Sequence, residues 1–330
     1  MHRVRLGVLL LLWMGLPASL AAQPGADLTS FSVLRIEPSA RTAALGGAFA
    51  AVPDGDVNAL FFNPAVPGPA TSRRVSLSYL NHLSDLTVGS VAYSHRWDAL
   101  ETTLSGGVRF AHWGTFEGRD RFGNETGSFG AGDAVLTLGA ARALGERLRY
   151  GANLHALHAR IETAQATALA VDLGGLYRLP ARQLALGVTL RHLGVTVDGF
   201  GATREELPLD LQVGLSKRLA HLPLLLTATA YDLTNLSEGI RGGSTVDHVL
   251  GHLTMGAEVQ PGDVLRLRVG YNHRRSRELA LSDRFDFAGV GVGFGLTVSA
   301  LTVDYAYNSW SDLGGLHQFT LRADLSAWTD

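Results

Sequence analysis

Histidine and carboxylate side chains are where chemistry would start, and the chain carries 12 histidines and 30 acidic residues. His248 and His252 would share one face of a strand, but no His-Glu-x-x-His occurs and no carboxylate sits at ligand spacing beside them, so no metal site is expected. With no cysteine, neither a thiolate site nor a disulfide framework can form. Lys217 is the one lysine and Gly214 stands three residues before it, which rules out a Ser-x-x-Lys nucleophile. Gly-x-Ser-x-Gly is missing as well. A triad gathered from distant strands stays open in principle, yet no residues recommend one. The expectation is a non-enzymatic protein without catalytic residues, metal or cofactor. Gly289, Gly291, Gly293 and Gly295 invite a phosphate-loop reading, but strict alternation belongs to a strand and no Gly-Lys-Ser/Thr ending follows.

What remains is a set of charges that must be kept from lipid: Asp172, Asp210, Glu258 and Asp304 against Arg149, Arg191, Arg266, Arg268 and Arg322. Their neighbours show how. Leu148, Tyr150, Ala152 and Leu154 alternate with Arg149, Gly151, Asn153 and His155, and successive side chains of a strand point to opposite faces. Leu265, Leu267, Val269 and Tyr271 alternate with Arg266, Arg268, Gly270 and Asn272 in the same way. An arginine on a lipid face costs on the order of 2–4 kcal/mol at the midplane, so Arg266 and Arg268 are expected to face inward and the lumen charges to pair across the interior.

The apolar content, 46% with mean hydropathy +0.12, is spread over segments of this kind from Val75 onward. Segments begin near positions 75, 86, 102, 133, 148, 165, 183, 207, 222, 250, 264, 285, 299 and 314, which predicts an all-β integral outer-membrane barrel of about fourteen antiparallel strands. Tight connections at 98–99, 144–146, 179–182, 220–221 and 260–263 alternate with long ones at 114–132, 195–206, 235–249 and 274–284, as short periplasmic turns alternate with external loops. A soluble sandwich has no reason to sort its loops so. Tyr79, Trp97, Trp113, Tyr231 and Trp310 lie near strand ends, where interfacial girdles form; ordinary barrel packing is the other explanation.

Before the strands, Arg3 and Arg5, an apolar stretch at 6–16 and the small pair Ser19 and Ala21 have the form of a secretory signal peptide. The stretch is short for a spanning anchor. The expected organisation is a signal peptide at 1–21, a hatch or plug at 22–74 and a transmembrane barrel at 75–330. The hatch, from about 26 to 69, is expected in the periplasmic half of the lumen, against the side-chain-free face of Gly289, Gly291, Gly293 and Gly295, with a short helical stretch at 56–62. Net charge of -2 with no basic stripe gives no reason to expect nucleic acid.

The run Pro38-Ser39-Ala40-Arg41-Thr42-Ala43-Ala44-Leu45-Gly46-Gly47-Ala48, then Asp54-Gly55-Asp56 and Asn63-Pro64-Ala65, resembles the opening of the PorV/PorQ family, itself similar to FadL-like fatty-acid transport barrels. Residues 150–154, 170–174, 207–210 and 313–318 look like the PorQ branch. This resemblance implies an outer-membrane component of the type IX protein secretion system, whose partners are other secretion components and secreted cargo as well as membrane lipid. The alternative is a FadL-like channel for fatty acids or other small hydrophobic molecules. Gly46, Gly47, Asp54, Asp56, Asn63, Pro64 and Ala65 have structural work beside any such role: glycines permit a close turn and Asn-Pro favours one. One departure from outer-membrane habit is an ending on Trp328-Thr329-Asp330 rather than on an aromatic residue.

Overall fold

The computed structural model describes residues 31–81, 86–200, 206–236, 240, 243–279, 287–310 and 314–328. The signal-peptide reading and the start of the expected hatch lie outside them. Fourteen strands form one closed antiparallel barrel. They are β1 (Arg74–Asn81), β2 (Thr87–Trp97), β3 (Thr102–Arg119), β4 (Glu125–Leu144), β5 (Leu148–Ile161), β6 (Ala164–Leu179) and β7 (Leu184–Asp198), followed by β8 (Asp210–Arg218), β9 (Leu224–Ala230), β10 (Leu253–Val259), β11 (Leu265–Asn272), β12 (Val290–Val298), β13 (Leu301–Ser309) and β14 (Gly315–Asp324). Every strand pairs with its sequence neighbours, and β1 closes on β14 from Arg74 opposite Asp324 to Asn81 opposite His317, so no edge is left exposed.

The alternation read in the sequence is the alternation of the wall. On β5, Tyr150 and Leu154 face out at 49% and 63% exposure while Arg149, Asn153 and His155 are buried within. Leu265 to Asn272 behave likewise, Arg268 buried and Arg266 half-buried. The outer face is lined by leucine, valine, phenylalanine and tyrosine from strand after strand, a continuous apolar surface far larger than a water-soluble monomer exposes. No described helix is long and apolar enough to cross a membrane; crossing falls to the strands.

Connections fall into a turn end, where β2–β3, β4–β5, β6–β7, β8–β9, β10–β11 and β12–β13 join, and a loop end. The loop end is less uniform than expected. β5 and β6 are joined there by two residues, with Glu162 at φ 55°. The expected loop at 114–132 is mostly a two-stranded arm: β3 and β4 stay paired from Thr115 opposite Gly130 to Arg119 opposite Glu125, past an irregularity after His112. β7 likewise runs on to Asp198. The long connections after β9 and β11 hold two short helices, α2 (Thr245–Gly251) and α3 (His273–Leu279). His248 therefore sits on a helix and His252 just after it, not together on a strand face. Of the aromatics near strand ends, Tyr79 and Trp97 are exposed on the outside; Trp113 and Trp310 pack against the interior, and Tyr231 is half-buried.

Inside the barrel lie residues 31–72. Ser39 caps a five-residue helix, α1 (Ala40–Ala44), which is followed by Gly46 and Gly47 at φ 95° and 97°. Asp56 caps a 3-10 turn, Val57–Phe61, by accepting from the Asn58 amide at 3.0 Å. This segment is not confined to the turn-end half. Residues 31–36 rise into the loop-end half, where Phe31, Val33 and Leu34 pack with Leu80, Val88, Ala111 and Leu157.

Candidate functional site: a lumen in two halves

The turn-end half is held by charge. Arg41, buried on the hatch helix, meets Asp54 at 2.5 Å, Asp56 at 3.3 Å and Glu258 of β10 at 2.9 Å. Glu258 also meets Arg268 of β11 at 2.6 Å, Arg268 meets Asp304 of β13 at 2.7 Å, and Asp304 meets Arg322 of β14 at 2.7 Å. Arg322 returns to Asp56 at 3.8 Å. The result is a closed ring of alternating charge with Asp54 attached, and it joins hatch to wall. Burial pushes the Asp56 carboxyl up, but Arg322 and Arg41 outweigh it and hold Asp56 below the ordinary carboxylate range. The same set of carboxylates keeps Arg41 firmly charged against its burial.

Glu258, Arg268, Asp304 and Arg322 thus pair along the wall, Arg268 with Asp304 over Gly295 of the intervening β12, and through the hatch, not across an open interior. Two arginines expected to find carboxylates do not. Arg149 donates to the carbonyls of Val66 and Pro67 at 2.9 and 3.1 Å, and Arg266 to the Thr297 hydroxyl at 2.5 Å. The cause is the hatch, whose backbone and Arg41 take the central positions. Arg191 meets Asp210 at 3.5 Å and donates to the Phe61 carbonyl at 3.1 Å. Asp172 accepts from the His192 amide at 2.8 Å and pairs with His155 at 2.7 Å. Thr137 completes a hydroxyl, imidazole and carboxylate chain at 2.9 Å from His155. All three side chains are buried under the hatch, and their bonds tie β4, β5, β6 and β7 together.

The motif residues are also structural contacts. Asn63 donates to the Ala50 carbonyl at 2.7 Å, and its own oxygen accepts from the Ala65 amide at 2.9 Å. Gly47 lies against Glu37 and Gly46 against the Tyr271 and Met255 carbonyls. Of the four alternating glycines, Gly291 and Gly293 face the hatch, a Cβ there meeting the Ala43 carbonyl and the Ala44 methyl at 2.7 Å. Gly295 faces Arg268 and Asp304 instead, and Gly289, at φ 79°, precedes the strand and abuts Asn272 and Ser276. The bare lane is broader than one strand. Gly256 and Gly270 face Leu45, Gly187 and Gly214 face Ala50, and Gly151 and Gly174 face Pro64. Each of these glycines occupies an inward position of its strand, so the hatch backbone lies directly on the wall.

Beside β8–β11 the loop-end half carries the ion pairs Asp232–Arg274 and Glu37–Arg275; on the side of β1–β6 and β14 it is apolar. Inward positions there are Leu80, Val88, Ala111, Val135, Leu157 and Leu316, with Ala159, Ala166, Ala168 and Ala170 beside them, and Phe31, Val33 and Leu34 of the hatch fill the space. Arg109 lies close to the boundary, 2% exposed, with its guanidinium 5.2 Å from the centre of the Phe61 ring. Arg41 and Arg109 were not among the residues expected to matter. The only signal for Arg41 was a charge inside a run of small residues, and for Arg109 an inward arginine between Gly107 and Ala111. No group of residues able to hold a metal occurs among the described residues.

No family model matches the chain, and no curated protein matches it in sequence. Solved structures do match in shape. The chain is similar to a deletion mutant of the TodX monoaromatic hydrocarbon channel (TM-score 0.54, 13% identity, covering 86% of this chain and 96% of that one) and to the CymD monoaromatic hydrocarbon channel (TM-score 0.54, 12% identity, 87% and 96%). A Pseudomonas aeruginosa FadL homologue also matches (TM-score 0.50, 11% identity, 88% and 98%). The barrel with its filled lumen therefore has the fold of the FadL-type outer-membrane channels.

Proposed function

We propose that the protein is a non-enzymatic outer-membrane channel of FadL-like type, exported by its signal peptide, that takes up small hydrophobic molecules at the loop end while the hatch seals the turn end. The observation that carries this is the apolar inner wall of the loop-end half. Lipid explains an apolar exterior, but a barrel that passes water-soluble solutes keeps its interior polar. Leu80, Val88, Val135, Leu157 and Leu316 instead make a wall suited to apolar cargo. Fold likeness to two channels described as carrying monoaromatic hydrocarbons supports the reading. Cells lacking the gene are expected to lose uptake of a small apolar solute and to regain it on complementation; unchanged uptake would refute the channel.

A second reading, a PorQ-like accessory of type IX secretion acting on cargo, rests on the sequence resemblance, and the β3–β4 arm at the loop end favours it as a surface for a protein partner. Loss of protein secretion with normal uptake in the deletion strain would place it first.

A further inference from the structure

We propose that the turn-end mouth of the lumen holds the phosphate group of a small water-soluble molecule, gripped between Arg218 and Arg266 with the Thr297 and Thr302 hydroxyls beside them. The site goes beyond the channel reading and does not depend on what passes through the barrel.

A cavity of about 240 Å³ opens there. Asp54, Gly55 and Val57 of the hatch form one side of it, and Gln260 after β10 with Ser299 and Ala300 of the β12–β13 turn fix its place at the turn end. Five arginines line it, Arg41, Arg74, Arg218, Arg266 and Arg322. Three of them are engaged by carboxylates: Arg41 by Asp54 and Glu258, Arg74 by Asp324 at 3.3 Å and Arg322 by Asp304. Arg218 and Arg266 differ. Among the described residues neither meets a carboxylate, and the partner of the Arg266 guanidinium is the Thr297 hydroxyl at 2.5 Å. Both point into the lumen, since Arg218 alternates in step with buried Gln212 and Ser216 on β8, and Arg266 with buried Arg268 on β11.

This arrangement suits an oxyanion. Two guanidiniums without an opposite charge repel each other and the nearby Arg322 across one cavity, and an anion between them turns repulsion into attraction. Guanidinium offers paired N–H donors that match phosphate oxygens. Thr297 and Thr302, with their hydroxyl oxygens 3.0 Å apart, line the same cavity and add donors of their own. A phosphate monoester carries close to two negative charges at neutral pH, one for each guanidinium, where a carboxylate carries one. The closed wall separates the cavity from the bilayer, so the phosphate comes from a soluble molecule and not from a lipid headgroup.

Titration calorimetry on the full-length barrel in non-ionic detergent, at fixed ionic strength, tests this with inorganic phosphate as the probe. Phosphate should bind the unmodified protein about tenfold tighter than acetate, the order that one further charge-assisted hydrogen bond supplies. Arg218→Gln and Arg266→Gln should each weaken phosphate about tenfold on the same ground, and Arg266→Lys should recover part of the loss. Arg147→Gln, which removes an exposed charge from the β4–β5 turn at the same end, should leave phosphate within about twofold, as exposed charges contribute little. Equal binding of phosphate and acetate would overturn the site even if a glutamine variant did not fold. Phosphate binding that ignores both glutamines, or that falls as far with Arg147→Gln, would overturn it too. So would binding of short-chain phosphatidic acid without binding of phosphate, or no phosphate binding at all.

Discussion

At the turn end, hatch and wall meet through Arg41, Asp56, Glu258 and Arg322; at the loop end they meet through Phe31, Val33, Leu80 and Leu157. The first contact is directional and demands every partner, because a buried charge whose partner is removed is stranded. The second is non-directional and tolerates exchange of one apolar surface for another. A lumen built this way keeps its seal where the ring of charges is and can give way at the apolar contacts of residues 31–34, where the Val33 amide donates to Asp133 at 3.3 Å and its carbonyl accepts from Arg109 at 3.5 Å.

Removing the charge should therefore have the largest effect. Arg41→Ala opens the ring between Glu258 and Asp56 and takes from Asp54 the guanidinium it meets, and it is expected to cost roughly 3–5 kcal/mol of hatch docking, seen as ion conductance in planar bilayers that the parent lacks. A sealed Arg41→Ala barrel would mean that the ring is not the latch. Crowding the wall comes next: leucines at Gly291 and Gly293 push into the Ala43 carbonyl and the Ala44 methyl, an overpacking worth about 1–3 kcal/mol. Protease should then reach the hatch, whereas Gly262→Ala, which meets nothing within 4 Å, should behave as parent.

Acid sharpens the same contrast. Because Asp56 is held below its ordinary range by Arg322 and Arg41 in spite of burial, its contribution is complete above the unfolded value of about 3.9 and is lost as pH falls through the depressed folded value. Hatch protection from protease should hold from pH 8 to pH 5 and fail only below about pH 4. Loss already at pH 6 would point to histidine, not to the ring. The smallest perturbation is topological. Since the chain has no cysteine, Gly123→Cys at the arm tip should label in intact cells and Gly145→Cys at the turn end should not; the reverse would invert the barrel.

The strands were legible because each one faces lipid on one side and the lumen on the other, so that Leu148 to His155 or Leu265 to Asn272 alternate without exception. Where that two-sided environment ends, legibility ends with it. The β3–β4 arm runs beyond the pairing of its neighbours β2 and β5, and residues 114–132 read as polar loop although they pair. Seven residues give α2 and α3 two turns each, too few for a helical period to show. Partners inside the lumen were hidden for another reason. Arg41 and Glu258 lie 217 positions apart, and only the threading of the hatch brings them together; inward orientation of Arg149 and Arg266 could be read, but not that carbonyls and a hydroxyl would serve them. The glycine series of β12 drew attention by its spacing, while Gly151, Gly187 and Gly270, each on a different strand, carry no local pattern.

The division of the lumen is tested most directly by placing a charge in its apolar half. Leu157, 1% exposed on the inner wall, touches neither the ring nor the lipid face. Uptake of a small apolar solute should be compared in the deletion strain complemented with the parent barrel or with Leu157→Arg, at equal amounts in the outer membrane. The account predicts that the parent restores uptake and that Leu157→Arg does not, while both stay sealed to ions; equal uptake by the two would contradict it.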